Sequence, residues 1–125
     1  MRAVEFATIA AIVMVSIAPS AYSQALGFMD YSPIAYYTTE DNRIADEAGL
    51  DALDNYADMT VRKWSNPATG ASGTITPLET YSNEAGHTCR KARAIDRTTS
   101  PPLQGQFTFH LCKDPEKGWQ FVKKK

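Results

Sequence analysis

The sequence predicts an α+β domain: one N-terminal amphipathic helix packed on a four- to five-stranded antiparallel meander sheet, closed by one disulfide. Three observations carry this reading. Apolar residues recur at helical spacing between Ile44 and Tyr56, alternation replaces that period from Thr60 onward, and the two cysteines fall where a hairpin would set them face to face. A chain of 125 residues has room for one domain, and 43% hydrophobic with 22% charged residues is the composition of a folded protein.

The first 23 residues read as a secretory signal rather than as part of the fold. Arg2 opens a short n-region, weakened by Glu5. An apolar run of 11 residues follows from Ala7 to Ile17, and Ala21 and Ser23 stand at the −3 and −1 positions of a cleavage before Gln24. A spanning helix needs about 20 apolar residues, so a membrane anchor is the lesser reading and the mature protein is expected to have no transmembrane segment. Acylation would need a cysteine just after the apolar run. The only cysteines are Cys89 and Cys112, so no lipid anchor is expected.

Residues 24–37 are expected to form an extended leader packed on the core, pinned by Phe28 and Ile34, because Pro33 forbids a continuous helix. The domain proper is expected over 38–125. Thr38-Thr39-Glu40-Asp41 is a helix-start signal, with a hydroxyl for the cap and acids in the first turn. Ile44, Ala45, Ala48, Ala52 and Tyr56 make one stripe, with Leu53 at its edge, so the helix is expected over 40–57. Gly49 near its middle costs about 1 kcal/mol relative to alanine and allows a break there.

Strands are expected at 60–65, 73–81, 88–96, 106–113 and 119–123, with Pro- and Gly-bearing turns between them. The third and fourth set the register. If they form a hairpin about Ser100-Pro101, paired residue numbers sum to 201, and Cys89 with Cys112 satisfies that sum. Directly opposed cysteines are within bridging range, and in the chain-entropy model such a bridge stabilises by about 3 kcal/mol. The same register sets Phe107, Phe109 and Leu111 against Ala94, Ala92 and Arg90, a core face apart from Arg90. The cysteine face carries Lys91, Arg93, Thr108 and His110 and reads as wetter.

Charge is segregated along the chain. Residues 24–60 hold eight acids against one base, and 61–125 hold five acids against eleven bases. Either the acidic helix packs beside a basic sheet, or the basic half presents an anion-binding face. Arg90, Lys91, Arg93 and Arg97 are the candidate residues for such a site, taking phosphate-rich lipid or glycan, and salt bridges to the helix would explain them equally well. Trp64, Trp119 and Phe121 could stack on sugars, although aromatics at alternating strand positions are more often core. The loop 66–73 could recognise a partner, but hairpin geometry already accounts for Pro67 and Gly70. His87 and His110, with Asp96 or Asp114, show no metal-ligand spacing, so no metal and no cofactor are expected. No catalytic motif occurs in the sequence.

The run from Trp64 to Pro77 (WSNPATGASGTITP) resembles the signature W-x-N-P-x-T-G-x-x-G-x-[IV]-T-P of the bacterial surface-antigen domain known from the rickettsial 17 kDa antigen. Its turn residues Trp64, Asn66, Pro67, Thr69, Gly70, Gly73, Thr76 and Pro77 all match. Tyr81, Cys89-Arg90, Cys112 and Gly118-Trp119 continue the pattern, so the resemblance spans about residues 38–122. Lys113 stands where the family often has Arg. The lipobox cysteine and Gly-zipper segment that often precede the domain have no counterpart here.

The resemblance implies an exported, non-catalytic cell-envelope protein, in the periplasm or associated with the outer membrane. Its role would be structural or partner-binding, toward an envelope protein, glycan or lipid. The alternative is a periplasmic glycan- or anion-binding module using the basic strand, and a small hydrolase built on His110 and an acid is a remote third. Nucleic acid is not an expected partner for an exported chain of net charge −1.

Overall fold

The computed structural model describes residues 32–123. The expected signal segment, and the first part of the leader with Phe28, lie outside the described residues. From Pro33 to Tyr36 the leader departs from the extended path expected of it. Pro33–Tyr36 form one 3-10 turn, with Ala35 N–H donating to Ser32 O and Tyr37 N–H to Ile34 O, both at 3.2 Å. Pro33 sits at the first position, where its fixed φ favours a helical turn and its missing N–H costs nothing. Its ring is buried against the Gly105 backbone.

Helix α1 spans Thr39–Asn55 and runs unbroken through Gly49. Thr38 caps it with a full capping box: the Thr38 hydroxyl accepts from Asp41 N–H, and the Asp41 carboxylate accepts from Thr38 N–H. The apolar stripe buries Ala48, Ala52 and Leu53. Tyr56 ends the helix, with its N–H bonded to Ala52 O at 3.1 Å.

Five strands follow as a simple meander, in spatial order β1-β2-β3-β4-β5. They are β1 Arg62–Asn66, β2 Ala71–Ser82, β3 Thr88–Thr99, β4 Pro102–Asp114 and β5 Gly118–Val122. The central strands run longer than alternation alone indicated. The β3–β4 ladder continues to Thr99 opposite Pro102, leaving Ser100-Pro101 as the turn. Pro77 is tolerated inside β2 because β1 stops pairing at Ile75, so no ladder bond is lost there. A bulge between Pro77 and Glu79 then resets the alternation.

The helix covers one face of this sheet. On that face Ala48, Trp64 and Ala71 form one buried cluster, and Leu53, Ala92 and Leu111 form a second, with Ile75 packed against both. Phe109 and Trp119 flank the second cluster. Phe121 departs from the expected core role: at the sheet edge beyond the reach of α1 it stays 71% exposed, touching Phe109 edge-on at 5.4 Å between ring centres.

Candidate functional site

The signature residues of the β1–β2 hairpin converge on one buried carboxylate. Asp41, 1% exposed at the start of α1, accepts from Asn66 Nδ2 and from Thr69 Oγ1, each at 2.7 Å, through the same Oδ1. Asn66 Oδ1 in turn accepts from Ala68 N–H, and Thr69 Oγ1 accepts from Ala71 N–H. Burial alone would push the Asp41 carboxyl up. The bonds from Thr38 N–H, Thr69 and Asn66 more than cancel this and hold it below its ordinary value. Gly70 turns at a φ of +80°, and Gly73 lies so close to Trp64 that a Cβ there would come 2.6 Å from the indole Nε1. These residues lock a loop to a helix start.

A second anchor holds the other end of the helix. Arg90 Nη1 donates to the Leu53 carbonyl at 2.8 Å, in the last turn where helix acceptors go unmet, and to the Ala52 carbonyl at 3.3 Å, which also accepts from Tyr56 N–H. Its Nε reaches Thr80 Oγ1 at 3.0 Å and its Nη2 the Asp58 carboxylate at 2.7 Å. Asp58 is held below the ordinary carboxylate range first by Arg90 and then by Thr80. Arg62 pairs with Asp51 at 2.7 Å, and Lys113 with Asp54 at 2.8 Å, across the same helix–sheet seam. Trp119 Nε1 also donates to Asp54.

Arg90 therefore does not belong with Lys91, Arg93 and Arg97. Side chains alternate across a strand, and the ladder pairs Arg90 with Leu111 on the helix face while Lys91 and Arg93 pair with His110 and Thr108 on the other. At 7% exposed and with all three of its guanidinium nitrogens hydrogen-bonded within the fold, Arg90 has no surface to offer an anion. The period of two already separates position 90 from the odd-numbered three. Lys63 was missed as a member of the cationic set: it pairs with Thr74, placing it on the same side as Arg97.

The open face is the surface that α1 leaves uncovered. Arg97, Arg93 and Lys91 stand in file along β3, flanked by Ser72, Thr74 and Thr76 of β2 and by Gln104, Gln106 and Thr108 of β4. Arg97 Nε donates to Gln104 Oε1 at 2.9 Å. Among the described residues no acid forms an ion pair with Lys63, Lys91, Arg93 or Arg97. Glu79 is registered beside Lys91. At the far end Tyr81 Oη and His110 Nδ1 lie 3.1 Å apart, beside the Cys89–Cys112 disulfide, whose Cα atoms are 3.9 Å apart. Among the described residues no three His, Cys, Asp or Glu side chains cluster as a metal site, and no helix is long and apolar enough to cross a membrane.

On the helix face an apolar groove of about 390 Å³ runs between α1 and the β4–β5 half of the sheet, with Gly49, Leu50 and Leu53 on one wall and Phe109, Trp119 and Phe121 on the other. At the head of that face Asp96, 7% exposed, accepts from Tyr37 Oη at 3.0 Å. Burial raises the Asp96 carboxyl, and the Tyr37 bond opposes that only partly. Tyr37 is itself pushed up by burial and by the neighbouring Asp96 charge.

Comparison with known proteins gives one consistent relationship. Residues 51–120 match the family described as 17 kDa outer membrane surface antigen. The chain is similar to the 17 kDa surface antigen of Rickettsia prowazekii (strain Madrid E), 31% identical over 84 residues, covering 66% of this chain and 51% of that protein. It is 30% identical over 83 residues to the corresponding antigen of Rickettsia felis and 29% to that of Rickettsia conorii, with the same coverage. The chain thus spans about half the length of the curated relatives it matches. No solved structure matches it.

Proposed function

The chain belongs to the 17 kDa outer membrane surface antigen family, and on that premise we propose that it is an exported, non-catalytic module of the cell envelope with a partner-binding role. The signal-like residues 1–23 and the disulfide support export, since disulfides persist in oxidising compartments. The mature module resides in the periplasm or against the outer membrane.

The observation that carries the binding role is the division of charge between the two faces. On the helix face the cations are spent on the fold: Arg62, Arg90 and Lys113 are each bonded to an acid of α1 or of the segment after it. On the open face the cations are bonded to no acid among the described residues. That asymmetry favours a binding surface over a purely structural role, and it is the specific support for an anion- or glycan-binding reading of the strand.

The test is intact mass, with and without reduction and alkylation, on protein from fractionated native cells. A mass beginning at Gln24 with no alkylation before reduction, recovered from the envelope, is expected. A full-length mass with two alkylated thiols in the cytoplasm would end the envelope reading.

A further inference from the structure

We propose that the open sheet face is a docking surface for an acidic glycan, a linear sugar chain bearing carboxylate or phosphate groups that lies along β3. The inference rests on the partner-binding reading above and names the surface and the partner's chemistry.

The first argument is charge. The face carries Lys63, Lys91, Arg93 and Arg97 with no ion pair among the described residues. Glu79, beside Lys91, limits the file at that end, which leaves Arg93 and Arg97 as its centre. An anion arriving here meets charges that no internal acid has neutralised, and guanidinium groups pair bidentately with carboxylate and phosphate.

The second argument is repeat. Side chains two apart on one strand are about 7 Å apart, so Lys91 to Arg93 is one such step and Arg93 to Arg97 is two, about 13 Å. A linear polymer with periodic acidic groups can meet the file at several points at once, whereas an isolated anion meets one.

The third argument is what flanks the cations. Thr74 on one side, and the exposed Gln106 and Thr108 on the other, offer hydroxyl and amide groups beside the file. Such groups exchange hydrogen bonds with sugar hydroxyls. A membrane surface is the poorer fit. Interfacial binding needs large apolar side chains to insert beside the cations, whereas this face brings Ile95, partly buried between Arg93 and Arg97, and Val122 at its edge beside His110. The more exposed Phe121 and Leu50 belong to the groove on the helix face.

The experiment is a binding titration with the mature protein from Gln24, using oligogalacturonate as the acidic chain and maltooligosaccharide of equal length as the neutral one. Vesicles of phosphatidylglycerol in phosphatidylcholine serve as the anionic membrane. Binding to oligogalacturonate but not to maltooligosaccharide, weakening as salt is raised, is expected. Arg93→Gln with Arg97→Gln should reduce that affinity by about tenfold or more, because each removes a charge-assisted contact. Arg43→Gln with Lys117→Gln, which removes the same charge from the helix and from the β4–β5 turn, should change it by about twofold or less. Thermal melts establish that both double variants remain folded.

Equal binding to the neutral chain, preference for the vesicles, or equal losses in the two double variants would each overturn the proposal. None of those results touches the envelope assignment, which the mass measurement decides separately.

Discussion

Asn66 and Asp41 lie 25 positions apart in sequence and are joined by a 2.7 Å buried hydrogen bond, so the hairpin signature is the partner of the helix cap. Thr69 meets the same carboxylate oxygen. The Asn and Thr of the family pattern are thereby explained by a helix start far from them in sequence.

Asp41→Ala should destabilise the domain by about 3 kcal/mol, since it removes a capping acceptor and leaves two buried donors unmet. Urea denaturation at pH 7 measures this. The pH dependence has a definite sign. The folded carboxyl sits below its ordinary value of 3.8, so its contribution is present above that pH and is lost as pH falls through the folded value. Asp41→Asn should flatten this acid limb, and an unchanged limb would remove Asp41 as its cause.

Asp96 has the opposite sign. Burial lifts its carboxyl above 3.8, so the folded state is favoured below that pH, and the advantage fades as pH rises through the folded value. Asp96→Asn keeps an acceptor for Tyr37 and sheds the buried charge. It should raise stability at pH 7 by about 1 kcal/mol, and the gain should vanish below the ordinary Asp value. Paired melts at the two pH values test it.

Arg90→Ala should behave as a core lesion, costing about 3 kcal/mol, because it strips two terminal helix carbonyls, Thr80 and Asp58 of their shared donor. Arg90→Lys should recover only part of the loss, since an ammonium cannot reproduce the forked geometry. If Arg90→Ala melted like the wild type and lost anion binding instead, the assignment of Arg90 to the helix face would be wrong.

Gly73→Ala and Gly86→Ala separate close approach from backbone strain. Gly86 has a φ of +84° with open space where a Cβ would point, so alanine should cost about 1 kcal/mol there. At Gly73 a Cβ would come 2.7 Å from Ile95 O as well as against Trp64. The substitution should cost about 2 kcal/mol or more and perturb the tryptophan fluorescence.

Cys89→Ser with Cys112→Ser should lower stability by about 3 kcal/mol in the chain-entropy account while leaving the sheet register intact. Chemical denaturation together with amide exchange in β3 and β4 reports both quantities.

How much of this was legible follows from the range of the forces involved. Helix α1 could be read because its cap, Thr38 to Asp41, and its Ala48–Ala52 stripe are local and periodic. The β3–β4 register could be read because a two-residue turn and the cysteine pair impose one sum, which every pair in that ladder obeys. The family could be read because the residues that lock the β1–β2 loop are close together in sequence.

The tertiary structure alone decided which side chains share a surface, and with whom. Four basic residues within eight positions form one cluster in sequence, yet the pleat sends Arg90 under the helix and Lys91, Arg93 and Arg97 to solvent. Of the two acids in the first turn of α1, Asp41 became the hub for Asn66 and Thr69, and Phe121, apolar and strand-borne, stayed in solvent because a single helix covers only part of its sheet. Sequence patterns report the period of an element. Which face is buried depends on what the rest of the chain brings to lie against it, and that is a long-range property of packing.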